Sequence, residues 1–337
     1  SGFRAALGRV APAIGLFFLA PLVAEFLLGN IAIDALAGLI VLAPFYGGAA
    51  VLIREAVRRA GRGWPSILLL GLAFGIFEEG IATQSLFNPG YVGAALLRVT
   101  YVPALGIGVW WTLFVLTLHT VWSISVPIAL VEALVPRRRT TPWLGPAGQI
   151  VTAILFVFGA LATGFGTYQQ SRFIAPAPQL VAAVVITVAL IAVAFILPRR
   201  QPAPIAGVAP DPWLVGAASL VAASVFLGAT MTIGRGWLLV VVYLALYAVV
   251  IGVVANWSRR AGWGPRQILG LAGGALLAYA WHAFPQTPVA GSVGTVDLIG
   301  NAMFAIGAII LLAAAIAVQP GSGGGRGRAP RDSAPAG

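Results

Sequence analysis

Residues 71–89 read GLAFGIFEEGIATQSLFNP, and what can accommodate their two adjacent acids decides the fold. The stretch opens as an apolar, glycine-spaced helix and then sets Glu78 and Glu79 inside it. A charged side chain in hydrocarbon costs at least about 2.5 kcal/mol even on lenient insertion scales, so the pair cannot face lipid. Neighbouring residues project about 100° apart on a helix, so the two acids fill one polar sector rather than opposite faces. The row Gly71, Gly75, Glu79, Thr83 is small up to the acid, which suits close approach by another helix. Glu78 shares its row with Phe74, Ala82 and Ser85. The stretch therefore belongs in a protein interior or a water-filled cavity.

The rest of the chain agrees with a membrane setting. It is 60% hydrophobic and 9% charged, with a mean hydropathy of +0.97, whereas soluble domains carry about 25% charged residues. All 20 basic residues are arginine. The lack of lysine excludes Schiff-base chemistry, a retinal-type chromophore included. The lack of cysteine excludes structural disulfides, thiolate metal sites and iron–sulfur ligation. A net charge of +11 is no sign of nucleic-acid binding here, because the arginines sit in short clusters between apolar runs, as topology signals do.

Runs long enough to span a bilayer fall at 11–29, 31–53, 65–87, 104–134, 143–164, 178–197, 212–233, 237–256, 266–284 and 293–318. With the N-terminus inside, alternate loops leave only Arg98, Arg172 and Arg235 of the 20 arginines outside. The sequence thus predicts an all-α, polytopic membrane helix bundle of about ten transmembrane helices. It would lie in a bacterial-type inner membrane with both termini cytoplasmic. Residues 1–10 form the cytoplasmic N-terminus, 11–320 one transmembrane domain, and the glycine-rich 321–337 a disordered tail. A proline-rich linker, 198–211, separates halves 11–197 and 212–318. Five spans on each side would make the halves inverted, as in many secondary carriers. Arg54, Glu55, Arg58 and Arg59, at i,i+4 spacing on the inner end of the second span, read as an ordinary solvated helix end.

Topology also sets depth. Glu78 and Glu79 lie slightly past the middle toward the outside, His119 is central, and Glu25, His282 and Asp297 are in the outer third. An intramembrane ionisable residue is a functional signal by default, and two adjacent acids more so. The reactive groups of an outward-facing site are therefore Glu78, Glu79, His119 and His282. Glu25, Thr83, Gln84, Ser123, Asp297 and Asn301 line its pocket, between spans 1, 3, 4, 9 and 10. Each also has a structural reading: Asp297 as a helix-start dipole partner, Glu25 as a headgroup contact, each histidine as hydrogen-bonding glue.

Three uses fit such a site. One is secondary transport of a small solute, with Glu78 or Glu79 carrying a coupling proton and His119 relaying it. A second comes from resemblance. Glu78-Glu79 on one membrane helix, with histidines on later ones, resembles the glutamate-type intramembrane proteases, whose pair opens an E-E-x-x-x-R motif. The resemblance implies a glutamate polarising a water, histidines stabilising the oxyanion, and a membrane-embedded substrate. Thr83 stands at the arginine position, Val115 four before His119 with Phe114 one further back, and Gln286 four after His282 where the family has Asn or Asp. A third use is a divalent metal such as Zn²⁺ on the same carboxylates and imidazoles. No organic cofactor is expected. The partners are the lipid bilayer and a small solute or embedded substrate, not nucleic acid.

Overall fold

A computed structural model describes the backbone of residues 2–198 and 203–319, and side chains from residue 8 onward. The tail at 321–337, Arg199, Arg200 and part of the linker fall outside the described residues.

Ten long helices follow one another among the described residues. They are Gly2–Pro21 continuing into Leu22–Leu27, then Ile33–Arg59, Trp64–Ala82, Val109–Leu134, Pro146–Ser171, Ala177–Ile196, Pro212–Thr232, Trp237–Trp257, Pro265–His282 and Thr295–Ala317. We call them spans 1–10. Nine are long and apolar enough to cross a membrane. Span 9 falls short in apolarity because Arg266, Gln267 and His282 lie within it, and it is also well enclosed by protein. A buried helix need not be as apolar as one bathed in lipid. The only paired strands among the described residues are a short antiparallel hairpin, Tyr101–Val102 with Ile107–Gly108, in the loop after span 3.

Glycine governs the closest crossings. In span 3 a Cβ on Gly71 would lie 3.2 Å from the Thr120 carbonyl oxygen, and one on Gly75 would lie 3.2 Å from the His119 Cβ. The small row ahead of Glu79 is thus the surface on which span 4 rides. Gly159 of span 5 leaves room for the Phe45 backbone in span 2, and Gly274 of span 9 for the Gly216 backbone in span 7. The helix pairing of the first five spans does not recur in the last five. Spans 1 and 2, 1 and 4, 2 and 5, and 3 and 4 pack together, whereas the second half is built on spans 7 with 9 and 9 with 10. Span 6, apolar on every side, packs on span 3 rather than opening a second unit. The inverted halves expected from the linker have no counterpart in this pairing.

Alternate loops gather on two faces. One holds the arginine clusters: Arg138 donates to the carbonyls of Gly8 and Arg9, Arg59 to Leu144, Arg62 to Leu197, and Arg259 to Ala203. Here the expected solvated helix end is corrected. Arg54 is fully buried, and its guanidinium meets Glu55 at 2.7 Å and Glu132 at 3.0 Å while stacking 3.5 Å over Trp143. Arg58 adds a 2.6 Å contact to Glu132. The spacing was compatible with exposure, but the loop 138–144 folds over the helix end and supplies carbonyls to Arg54 and amides to Glu55. On the opposite face the hairpin after span 1 is fastened to the one after span 9. Val289 N–H donates to the Asn30 carbonyl at 2.8 Å, and Ser292 binds Asp34 through both its N–H and its hydroxyl.

Candidate functional site

Four spans leave regular α-helical geometry where they converge. Leu22–Leu27, Ala43–Gly47, Glu78–Ala82 and His119–Ser125 are all π-helical. Two of these turns have a visible cause. Pro44 and Pro127 lack the N–H that would close an ordinary turn onto the residue four back, so the helix widens. Each widened turn turns one polar group inward, in chain order Glu25, Tyr46, the Glu78–Glu79 pair and His119.

These groups form one continuous chain. Asn30 donates to Glu25 at 2.6 Å, and the Tyr46 hydroxyl lies 2.6 Å from Glu25 Oε1 and 2.5 Å from Glu78 Oε1. Glu78 Oε2 lies 3.1 Å from His119 Nδ1, which also meets Ser123 Oγ at 3.0 Å. His119 Nε2 meets Glu79 Oε1 at 2.7 Å. The other Glu79 oxygen accepts from Thr83 at 3.0 Å and from Ser85, whose oxygen accepts from Trp111. Glu78, Glu79 and His119 are only 2%, 5% and 5% exposed, so the centre is closed in this structure. Tyr91 lies in the loop after span 3. Burial, reinforced by Glu79, Glu78 and Glu25, pushes its phenol well above the usual value, so it stays a neutral donor.

Proton accounting follows from the contacts. A phenol has one proton and cannot donate to two carboxylates. With Tyr46 at hydrogen-bond distance from both Glu25 and Glu78, one of those acids must itself donate. Three carboxyl groups and a single imidazole thus share their protons in a water-poor interior. The same donors could hold a cation: one ligand atom each from Glu78, Glu79 and His119 lies within 4.8 Å of the others. Carboxylate and imidazole suit Zn²⁺ or Mn²⁺ rather than a soft ion.

The structure draws together Glu25, Glu78, Glu79, Thr83, His119 and Ser123 of the residues singled out from sequence. Gln84 is adjacent, in a left-handed conformation at φ 56°, with its side-chain Oε1 accepting from Ala175 N–H. His282 does not join them; its Nε2 lies 3.1 Å from the amide nitrogen of Gln286. Asn301 bonds Asp297 and the Ala283 carbonyl, a separate pair at the start of span 10. The expected lining by spans 9 and 10 thus gives way to span 2, through Tyr46. Sequence reading passed over Tyr46, although a tyrosine in mid-span between Pro44 and Gly47-Gly48 is a recognisable signal.

No curated protein and no solved structure matches the chain. A family model does, over residues 16–319, from within span 1 to just past the end of span 10. By that match the chain belongs to an uncharacterized membrane protein family.

Proposed function

We propose that this membrane protein is a proton-coupled carrier of a small solute, and that Glu25, Tyr46, Glu78, His119 and Glu79 form its proton-carrying path. The arginine-rich face is cytoplasmic in this reading, as the loop bias requires. The observation that carries it is the buried Glu–Tyr–Glu–His–Glu row, in which each neighbouring pair lies within 3.1 Å and each side chain can both give and take a proton. A structural patch of this polarity would need neither three acids nor a tyrosine held between two of them. The proton path is argued from this chain and not from symmetry between halves.

The hydrolase reading keeps Glu78, Glu79 and His119 but loses its second histidine, since His282 belongs to another hydrogen-bond system. The close approach of the trio's ligand atoms supports a second reading, a divalent cation held at the same point.

Charge displacement tests the proposal without knowledge of the solute. Purified protein in liposomes on a solid-supported membrane is given a pH step. The wild type should give a transient current, lost in Glu79→Gln and His119→Ala and kept in Asp211→Asn, an exposed helix cap. An undiminished current in Glu79→Gln would sink the proton path. Suppression by micromolar Zn²⁺ in the wild type would favour the cation reading.

A further inference from the structure

Several buried hydrogen-bonding groups outside the chain described above have no partner in the protein, and two of them share one helix. These two are the Tyr279 hydroxyl and His282 Nδ1, and the two residues are 0% and 3% exposed. They stand three residues apart on span 9, the spacing that puts side chains on one helix face. That helix packs against the π-turn carrying Glu25. Tyr279 is held in place by stacking on Trp122, ring centroids 4.5 Å apart and planes 1° from parallel.

The chemistry of the missing partner can be read from the two groups. The Gln286 amide nitrogen can only donate, so His282 Nε2 accepts from it. In the neutral imidazole the proton then sits on Nδ1, which faces the interior as a donor without an acceptor. The Tyr279 hydroxyl is a second such donor. A buried donor left unmade costs about 1–3 kcal/mol, and buried polar groups in native proteins are nearly always satisfied, by water where protein does not reach. Two orphan donors one turn apart call for an oxygen acceptor between them. Their position sets its place: His282 is at the end of span 9 that bears the arginine-poor face, and Tyr279 is one turn deeper, toward Glu25.

We propose that Tyr279 and His282 bind water in a narrow aqueous approach that opens on the arginine-poor face and ends at Glu25. They are positioning residues for that water and touch no reacting atom. The approach goes beyond the proton-carrying reading, and its test does not depend on it.

Radiolytic hydroxyl-radical footprinting of the wild-type protein reads local water directly, by mass spectrometry. Tyr243 is the internal control: equally buried, but with its hydroxyl bonded to the Phe226 carbonyl. We expect oxidation of Tyr279 and His282 and none of Tyr243. A cysteine-free chain gives a second measurement. A membrane-impermeant methanethiosulfonate added from the arginine-poor side should modify His282→Cys, and should leave Ala275→Cys, one turn deeper than Tyr279, unmodified. If Tyr279 and His282 resist oxidation as Tyr243 does, the approach is overturned, whatever the cysteine variants do. If oxidation appears only once a transported solute is added, the oxygen is the solute's and resident water is overturned. A protein that shows the footprint but no current after a pH step would keep the approach and lose the proton path.

Discussion

Tyr46 is the residue on which the candidate site turns, because it holds Glu25 and Glu78 together through one proton. Tyr46→Phe keeps the ring packed against Phe45 and Phe74 and removes only that link. Its effect should therefore fall on charge displacement, with a smaller current after a pH step, and not on expression. Arg54 presents the opposite case. It stabilises without chemistry, and removing one partner of a buried ion pair costs about 3–5 kcal/mol because the other charge stays behind. Arg54→Ala, which removes the cation from Glu55, leaves Glu132 to Arg58 alone and empties the space over Trp143, should lower the melting temperature in detergent sharply. Arg59→Ala, at an exposed position, should move it little; equal shifts would mean the network bears no weight. Glu78, Glu79 and His119 were legible in the sequence because acids and histidines in hydrocarbon need a reason. Tyr46 and Arg54 were not: a membrane tyrosine passes for an interface anchor, and a charged helix end passes for a wet one.

At the scale of single elements, the helices were readable from hydropathy alone, and each predicted run overlaps the helix observed. The four π-turns were not. A widened turn leaves composition and periodicity almost unchanged and betrays itself only by prolines such as Pro44 and Pro127. Close crossings were half legible. The row Gly71, Gly75, Glu79, Thr83 announced a contact without naming span 4 as the partner. Gly274 offers the sharpest test of such a crossing, since a Cβ there would meet the Gly216 carbonyl oxygen at 2.3 Å. Gly274→Ala should destabilise by about 1–3 kcal/mol through overpacking. Gly307→Ala, with open space around it, should be neutral or slightly stabilising in the same thermal melt.

Across the whole molecule, the arginine pattern and the number of crossings carried most of the architecture, because loop charge and helix length are imposed by the bilayer itself. Pairing between helices is set by side-chain shape, and there the expectation of two matching halves failed. The cytoplasmic assignment of the arginine-rich face has a direct check. On intact cells an impermeant maleimide should label Thr287→Cys and not Thr140→Cys; the reverse pattern would invert the topology. One consequence concerns how the protein is made. A chain is synthesised from its N-terminus, and every member of the Glu25–Tyr46–Glu78–His119–Glu79 path lies in the first four spans. Each costly acid therefore has its partners at hand before the second half exists. The fastening of Asp34 to Ser292, residues 258 apart in the chain, can form only after span 9 and the loop behind it have been made. A ribosome-stalled chain ending before Pro285 would hold the acids already paired beneath an unfastened hairpin.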